Sequence, residues 1–313
     1  PMPQGDQPEN PAGVSRKTCF LYCKTSPFRG GNVKRVIMFG RRSFLKKAGL
    51  TSMAFPFLYN CFSKISFAAN KSAPTVLSSS NPKITFVLFN GMTALDLIGP
   101  ACVLAKDGFD VAYAAENLEP ITTESSAQAK LKILPTSTFS EIKDTEVLFV
   151  PGTSNPFPSM ENAALQEFLS RVGQKAKWIT SVCTGSMILG ASGLLKGYKA
   201  TTHWSLLNTL ENFGAIPVEE RVVIDRNRVT GAGVTSGIDF GLTLLSMLKN
   251  ETAAQIAQLM MEYDPAPPFN AGSPRDAPKE LVEKVRENYL THLQRTAPES
   301  ERILKACRQK YAS

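Results

Sequence analysis

The segment WITSVCTGSMILG, from Trp178 to Gly190, gives the strongest indication of the fold. Its first part, Trp178–Val182, predicts a buried strand, and the residues after Cys183 predict a helix from Thr184 to about Leu195. A cysteine on a tight strand-to-helix turn, with a glycine close by for the crossing backbone, has the arrangement of a nucleophile elbow. The N–H groups and dipole of the helix N-terminus favour a thiolate. The segment therefore predicts a nucleophilic Cys183, against the alternative of an unreactive core cysteine.

Outward from this turn, short apolar runs alternate with longer amphipathic segments over residues 83–313. This alternation predicts an α/β domain with a mostly parallel sheet and helices on both faces, in which ligands bind beyond the carboxyl ends of the strands. The predicted strands are 84–89, 111–115, 131–134, 147–150, 178–182, 200–202, 221–225 and 228–230. The predicted helices are 93–106 with an interruption at Gly99-Pro100, 162–175, 184–195, 236–248, 251–262 and 278–311.

A different pattern precedes this domain. Arg41-Arg42 is followed by Ser-Phe-Leu-Lys and then by an apolar stretch that ends at Ala68-Ala69. This arrangement resembles a twin-arginine export signal over residues 38–70, which predicts passage through the twin-arginine translocase and a periplasmic or exported protein. The alternative is a chance basic and hydrophobic segment in a cytoplasmic protein. Residues 1–37 are expected to be a disordered extension or upstream sequence, and residues 71–82 a linker.

The composition excludes several function classes. The chain has 313 residues, of which 43% are hydrophobic, and a formal net charge of +8. Most of the basic excess precedes Lys83, so we expect no nucleic-acid-binding face. The six cysteines show no paired CxxC pattern and the chain has two histidines, so neither a metal site nor a disulfide framework is expected. We expect Cys102 in the core, and Cys307 on a polar terminal helix.

Several further motifs occur around the cysteine turn: LDLIGP (95–100), SVCTGS (181–186), ATTHW (200–204), ERVV (220–223), GIDF (237–240) and EYDPAPPFNAGSP (262–274). Together and in this order they resemble those of isocyanide hydratases in the ThiJ/PfpI superfamily, which is related to the class I glutamine amidotransferases. The resemblance covers the chain from about Lys83 to its C-terminus. It implies a flavodoxin-like sandwich, a homodimer, no cofactor, and hydration of an isocyanide substrate to an N-substituted formamide.

The resemblance also implies a catalytic pair. Cys183 attacks the terminal isocyanide carbon to give a thioimidate, and Asp96 is the acid/base beside the sulfur. Like charges on the two groups would raise both pKa values, so Asp96 is expected to be protonated when Cys183 is charged. From the residues alone, a helix-capping role of Asp96 near Thr93 is an equal alternative.

Two further segments are expected to contribute to the pocket around the substrate. The backbone N–H of Thr184 is a candidate donor to developing negative charge, with an ordinary first residue of the helix as the alternative. Gly152 and Thr153 occupy the turn that completes the anion pocket in the superfamily. Thr153 stands where the superfamily usually has glycine. Because a β-branched residue tolerates a positive φ badly, we expect this loop to differ.

His203 and Val234 are also expected at the substrate pocket. His203 is a candidate partner of Cys183, but structural hydrogen bonding, with Trp204 packing nearby, is the favoured interpretation. Val234 lies in Gly231–Thr235, the loop predicted to meet the cysteine turn. His292 is expected to be inert on an exposed helix.

Three other functions remain open from the sequence. Amidase-like or glyoxalase-like enzymes of the superfamily often have histidine directly after the nucleophile, where Thr184 stands here. A ligand sensor would need a DNA-binding module, and about forty residues after Pro274 leave room for one long helix. In a redox sensor, Cys183 would be oxidised instead of turning over.

Overall fold

The computed structural model describes residues 81–106, 108–124 and 130–311. The expectations for residues 1–37 and 38–70, and nearly all of the linker at 71–82, lie outside these residues. Within the described part, none of the helices has both the length and the apolar character needed to span a bilayer.

A seven-stranded sheet forms the centre of the domain. All neighbouring strands are parallel except the hairpin at one edge, between β10 and β11. The central strands are almost completely buried, as expected of parallel strands covered by helices. In spatial order the strands are β10 (Val222–Asp225), β11 (Arg228–Gly231), β7 (Trp178–Val182), β6 (Val147–Val150), β1 (Lys83–Val87), β2 (Asp110–Ala115) and β5 (Ser137–Thr138).

Eight α-helices and one 3₁₀ segment, Trp204–Phe213, accompany the sheet in the described residues. The mostly parallel sheet with its helices confirms the predicted α/β class. Two small sheets pair β3 (Ile121–Thr122) with β4 (Lys132–Ile133) and β8 (Lys199–Ala200) with β9 (Ile216–Pro217). The helices are α1 (Ala94–Leu104), α2 (Phe157–Glu161), α3 (Ala163–Gly173), α4 (Gly185–Ala191), α5 (Ser236–Leu248), α6 (Glu251–Met260), α7 (Lys279–Thr296) and α8 (Ser300–Tyr311).

Helices α1 and α5 pack closely because small residues line their contact. A Cβ placed on Gly237 would lie 3.0 Å from Cδ of Pro100, and one on Gly241 would lie 3.0 Å from Cβ of Val103. This contact brings the helix that carries Asp96 against the helix that follows β11.

Two helix predictions were wrong. The expected interruption at Gly99-Pro100 does not occur, and α1 is continuous through Pro100. A proline inside a helix removes one backbone hydrogen bond, and the close packing of Pro100 on Gly237 retains the helix here. Conversely, the single helix expected at 278–311 is two helices. Ala297 ends α7 with a non-helical backbone, and Pro298 follows it.

Other differences are smaller. Strands 147–150 and 178–182 and helix 236–248 have the predicted bounds, whereas α4 ends at Ala191 instead of Leu195. Cys102 is exposed, so its placement in the core was wrong, and Cys307 is half-buried. On α1, the residues that follow Cys102 directly, Val103 and Leu104, are the ones that face the core. Helix α2, the 3₁₀ segment and strands β3, β5 and β9 were not predicted.

Candidate active site

Cys183 lies on the sharp turn between β7 and α4. Its backbone is left-handed, with a φ of 57°, and its side chain is buried. The backbone N–H donates to the carbonyl of Gly231 at 3.0 Å, and the Thr202 hydroxyl donates to the carbonyl of Cys183 at 2.9 Å. A non-glycine residue with this backbone costs roughly 1–3 kcal/mol and is concentrated at functional sites. A Cβ on Gly185 would lie 2.3 Å from the Val150 carbonyl oxygen, so the turn requires glycine there.

Asp96 lies fully buried in the first turn of α1. Its Oδ2 accepts a hydrogen bond from the Gly152 N–H at 3.0 Å, whereas its Oδ1 is buried without a hydrogen-bond partner in the described part of the chain. Burial raises the pKa of Asp96 to about 7, against the opposing effects of the Gly152 N–H and of Cys183. The side chain therefore does not cap α1, and its protonated and ionised forms are present in similar amounts near neutral pH.

The pKa of the Cys183 thiol is raised, whereas the sequence predicted that the helix N-terminus would lower it. Burial, followed by the negative charge of Asp96, raises the pKa of Cys183, and the Thr184 N–H only partly opposes them. The expectation that the helix N-terminus favours a thiolate is therefore not met. The two neighbouring acids resist simultaneous ionisation, so the pair retains protons that it can transfer.

The loop after β6, residues 151–155, is fitted tightly against this pair. A Cβ on Gly152 would lie 2.6 Å from the Thr184 nitrogen and 2.8 Å from both Asp96 Oδ2 and Cys183 Cβ. Thr153 donates its N–H to Thr184 Oγ1 at 2.8 Å, and the Thr184 hydroxyl donates to the Thr153 carbonyl at 2.6 Å. The φ of Thr153 is not positive, so the strain expected for a β-branched residue is absent at this position.

These bonds change the expected anion pocket. The N–H of Gly152 is bonded to Asp96, and that of Thr153 is bonded to Thr184. Neither group is therefore free to bind negative charge on a substrate in this structure. The Thr184 N–H is the backbone donor that opposes the rise in the pKa of Cys183 by hydrogen bonding to it.

A second carboxylate, Glu124, lies beside the pair and was not predicted. It accepts hydrogen bonds from the Thr93 hydroxyl, from the Ser154 N–H at 2.6 Å and from the Thr153 hydroxyl at 3.4 Å. Its negative charge contributes to raising the pKa of both Asp96 and Cys183. Its sequence surroundings carry no motif, and a long-range contact map would have been needed to find it.

Comparison with known proteins agrees with this geometry. The model of the DJ-1/PfpI family matches residues 82–247. The chain belongs to the DJ-1/PfpI family. Isonitrile hydratase of Pseudomonas putida is 44% identical to it over 206 residues, which are 66% of this chain and 89% of that protein.

Two further relatives of this DJ-1/PfpI protein differ in how much of their own length the match covers. The crystal structure of a ThiJ/PfpI family protein from Pseudomonas syringae matches with a TM-score of 0.66 and 41% identity, over 79% of this chain and 99% of that chain. The helix-turn-helix transcriptional regulator CdhR of Pseudomonas aeruginosa is 30% identical over 120 residues, which are 37% of this chain and 35% of the regulator.

His203 lies at the edge of the DJ-1/PfpI site. Its Nδ1 contacts the Ser205 hydroxyl at 2.7 Å, and its ring lies 5.7 Å from that of Trp204. Burial lowers the pKa of His203, which keeps the ring neutral at pH 7. These contacts fit the structural interpretation of His203, including the nearby Trp204.

Tyr289, on α7, was not predicted to be near the site. Its hydroxyl donates to the Ser154 carbonyl at 2.8 Å, and its ring centroid lies 6.1 Å from that of His203. Burial, with the negative charges of Cys183 and Glu124, raises the pKa of Tyr289. His292, expected to be exposed, is half-buried and stacks on Tyr289.

A cavity of about 300 Å³ opens next to the cysteine turn. Thr202, whose hydroxyl bonds to the Cys183 carbonyl, connects the cavity to the turn. His203 and Val234, both expected at the substrate pocket, line it together with Trp204 and Leu207. Over the described ranges, no group of three or more His, Cys, Asp or Glu side chains is arranged to hold a metal ion.

Proposed function

We propose that this protein is an isocyanide hydratase, a lyase that converts R–N≡C and water into R–NH–CHO with Cys183 as the nucleophile. The observation that carries the proposal is the placement of Cys183 on a left-handed elbow beside the buried Asp96, whose pKa is about 7. A general acid/base is most effective when its pKa is near the working pH. The 44% identity to an isonitrile hydratase over most of that protein supports the same reaction.

The first half of the reaction joins the sulfur to the substrate. The sulfur of Cys183 attacks the terminal isocyanide carbon, and the thiol proton, relayed by Asp96, is delivered to that carbon. The product is the thioimidate Cys–S–CH=N–R, so that one S–H bond is broken and one C–H bond is formed. Asp96 Oδ1, buried without a partner, is the oxygen free to carry this proton.

The second half releases the product. Water adds to the thioimidate carbon while ionised Asp96 accepts its proton, and the proton passes to nitrogen to give Cys–S–CH(OH)–NH–R. This intermediate collapses to the formamide and expels the sulfur, which regains a proton from the hydroxyl through Asp96. The Thr184 N–H stabilises negative charge on the sulfur. These reaction steps involve no net oxidation or reduction, so the reaction requires no redox cofactor.

The assembly and location of the protein are part of the same proposal. We propose a homodimer, supported by the exposed apolar side chains of Leu95 and Ile98 on α1. We also propose export through the twin-arginine translocase, supported by the Arg41-Arg42 segment. A monomer in sedimentation equilibrium would contradict the first, and confinement to the cytosolic fraction of the native host would contradict the second.

Turnover of a simple alkyl isocyanide tests the reaction, with formamide formation as the measurement. The full-length protein is expected to produce formamide, and both Cys183→Ala and Asp96→Asn to lose at least 100-fold in kcat. Cys102→Ala is the matched control, since it removes an exposed cysteine outside the site. Formamide formation by Cys183→Ala at the wild-type rate would exclude the mechanism. No turnover with a Cys183 that oxidises readily would favour a redox sensor.

A further inference from the structure

Glu124 joins two segments that are far apart in the chain. Its carboxylate accepts a hydrogen bond from the hydroxyl of Thr93, the residue that precedes α1. It also accepts hydrogen bonds from the N–H of Ser154 and the hydroxyl of Thr153, in the loop after β6. Each partner that the described residues give it is a hydroxyl or an N–H group and not a cation. This half-buried carboxylate therefore connects the two segments through hydrogen bonds and not through an ion pair.

The same two segments hold Asp96. Thr93 accepts a hydrogen bond at its carbonyl from the N–H of Asp96, at 3.2 Å, and donates its own N–H to the Gly152 carbonyl at 2.8 Å. Gly152 in turn donates to Asp96 Oδ2 at 3.0 Å. Thr93, Gly152 and Asp96 therefore form a small hydrogen-bonded ring that holds the proposed catalytic acid. Glu124 stabilises this ring from outside, because it binds Thr93 and the residues that follow Gly152.

The titratable groups of the site, including the pair itself, come from five parts of the fold. Asp96 is on α1 and Cys183 follows β7, whereas Glu124 follows β3 and Tyr289 is on α7. His203, after β8, is in ring contact with Tyr289. Glu124 is the group outside the pair whose charge acts on both Asp96 and Cys183. The proposed mechanism assigns it no step.

We propose that Glu124 is a positioning residue of the site: its carboxylate holds the loop after β6 against the start of α1 and places a negative charge beside the pair. The inference rests on the proposed function in that Asp96 and Cys183 are the reacting pair. Glu124 itself touches neither substrate nor sulfur in this scheme. It acts through the geometry of the Gly152 N–H and through the field at Asp96.

Two substitutions distinguish the effect of the hydrogen bonds of Glu124 from the effect of its negative charge. In Glu124→Gln, the amide oxygen still accepts from Ser154 and the amide nitrogen donates to the Thr93 oxygen, so the ring is kept and the charge is lost. Glu124→Ala removes both. The matched control is Glu141→Gln, because Glu141 also accepts from a backbone N–H and a hydroxyl, both of Thr138, outside the site.

The first measurement is the pH dependence of Cys183 alkylation by iodoacetamide in the full-length protein, in a background in which the five other cysteines are replaced by alanine. Removing a nearby negative charge lowers the pKa of Cys183, so Glu124→Gln is expected to shift the alkylation midpoint to lower pH. Glu141→Gln is expected to leave it unchanged. Superimposed profiles for Glu124→Gln and wild type would overturn the role of the charge.

The second measurement is formamide formation from an alkyl isocyanide. Glu124→Ala is expected to lower kcat at least tenfold with little change in KM, and Glu124→Gln to restore most of kcat with its pH profile displaced toward acid. A kcat of Glu124→Ala within twofold of wild type would overturn the positioning role. Because alkylation requires no isocyanide, a shifted alkylation profile without turnover in any variant would contradict the proposed function and leave the Glu124 inference standing.

Discussion

Two loops flank Cys183, and they are held in opposite ways. The β6 loop, residues 151–155, is buried through Thr153, and its backbone bonds reach Asp96, Glu124 and Thr184. The β11 loop, residues 232–235, is half-buried to exposed, and most of its bonds are local to the start of α5. The first loop is held by Asp96 and by two residues beside it, Glu124 and Thr184, whereas the second lines a cavity. If the proposed mechanism holds, we expect substitutions in the β6 loop, which is bonded to Asp96, to lower kcat more than substitutions in the β11 loop.

The largest expected loss of kcat tests this difference by substituting one glycine in each loop, Gly152 in the β6 loop and Gly233 in the β11 loop. A Cβ on Gly152 would lie 2.6–2.8 Å from atoms of Thr184, Asp96 and Cys183, whereas the nearest atom to a Cβ on Gly233 is His203 Cδ2 at 3.6 Å. Gly152→Ala is therefore expected to lower kcat by about 100-fold or more, since a displacement of about 1 Å at a catalytic group has this effect. Gly233→Ala is expected to stay within about threefold. Formamide production measures both, and equal losses would contradict the difference between the loops.

An intermediate effect is expected at Thr184, whose hydroxyl satisfies both the N–H and the carbonyl of Thr153. Thr184→Val leaves these two buried groups without partners, which is expected to lower the free energy of unfolding by about 2–4 kcal/mol. Thr184→Ser retains the hydroxyl and is the matched control. Urea unfolding monitored by circular dichroism gives the values. A valine variant as stable as the serine variant would show that the β6 loop is not held from this side.

The smallest effect is expected at the surface of the β6 loop. Tyr289→Phe removes the hydrogen bond to the carbonyl of Ser154, a residue that is exposed and can bond to water instead. We expect a loss of about 1 kcal/mol or less in thermal unfolding and a kcat within about threefold of wild type. A tenfold loss of kcat would instead show that α7 holds the reacting pair, and that the loop is fastened from outside as well as from within.

Local sequence was sufficient to predict the part of the site that is formed by one continuous segment of the chain. The strand, cysteine and helix around Cys183 are contiguous, so their pattern predicted the turn directly. For Asp96, the residues alone leave capping and catalysis as equal alternatives, and the resemblance carried by the motif LDLIGP favours catalysis. The burial that raises its pKa comes from packing, which no local pattern contains.

Long-range contacts account for most of what was missed. Glu124 follows a two-residue strand, and Tyr289 lies on a polar helix 106 positions after Cys183, so neither has a local signal that connects it to the site. The raised pKa of Cys183 was missed for a related reason, because the helix N-terminus can be read from the sequence and the opposing burial cannot. The break between α7 and α8, in contrast, is readable from Pro298.

The left-handed backbone at Cys183 also limits which amino acids could replace it in evolution or in design. A φ of 57° is accessible to residues with an unbranched Cβ and is strongly disfavoured for threonine, valine and isoleucine. A change from thiol to alcohol chemistry at this turn is therefore open through serine and closed through threonine, although both carry a hydroxyl. The left-handed backbone at Cys183 thus limits the substitutions by which the chemistry of this side chain can change.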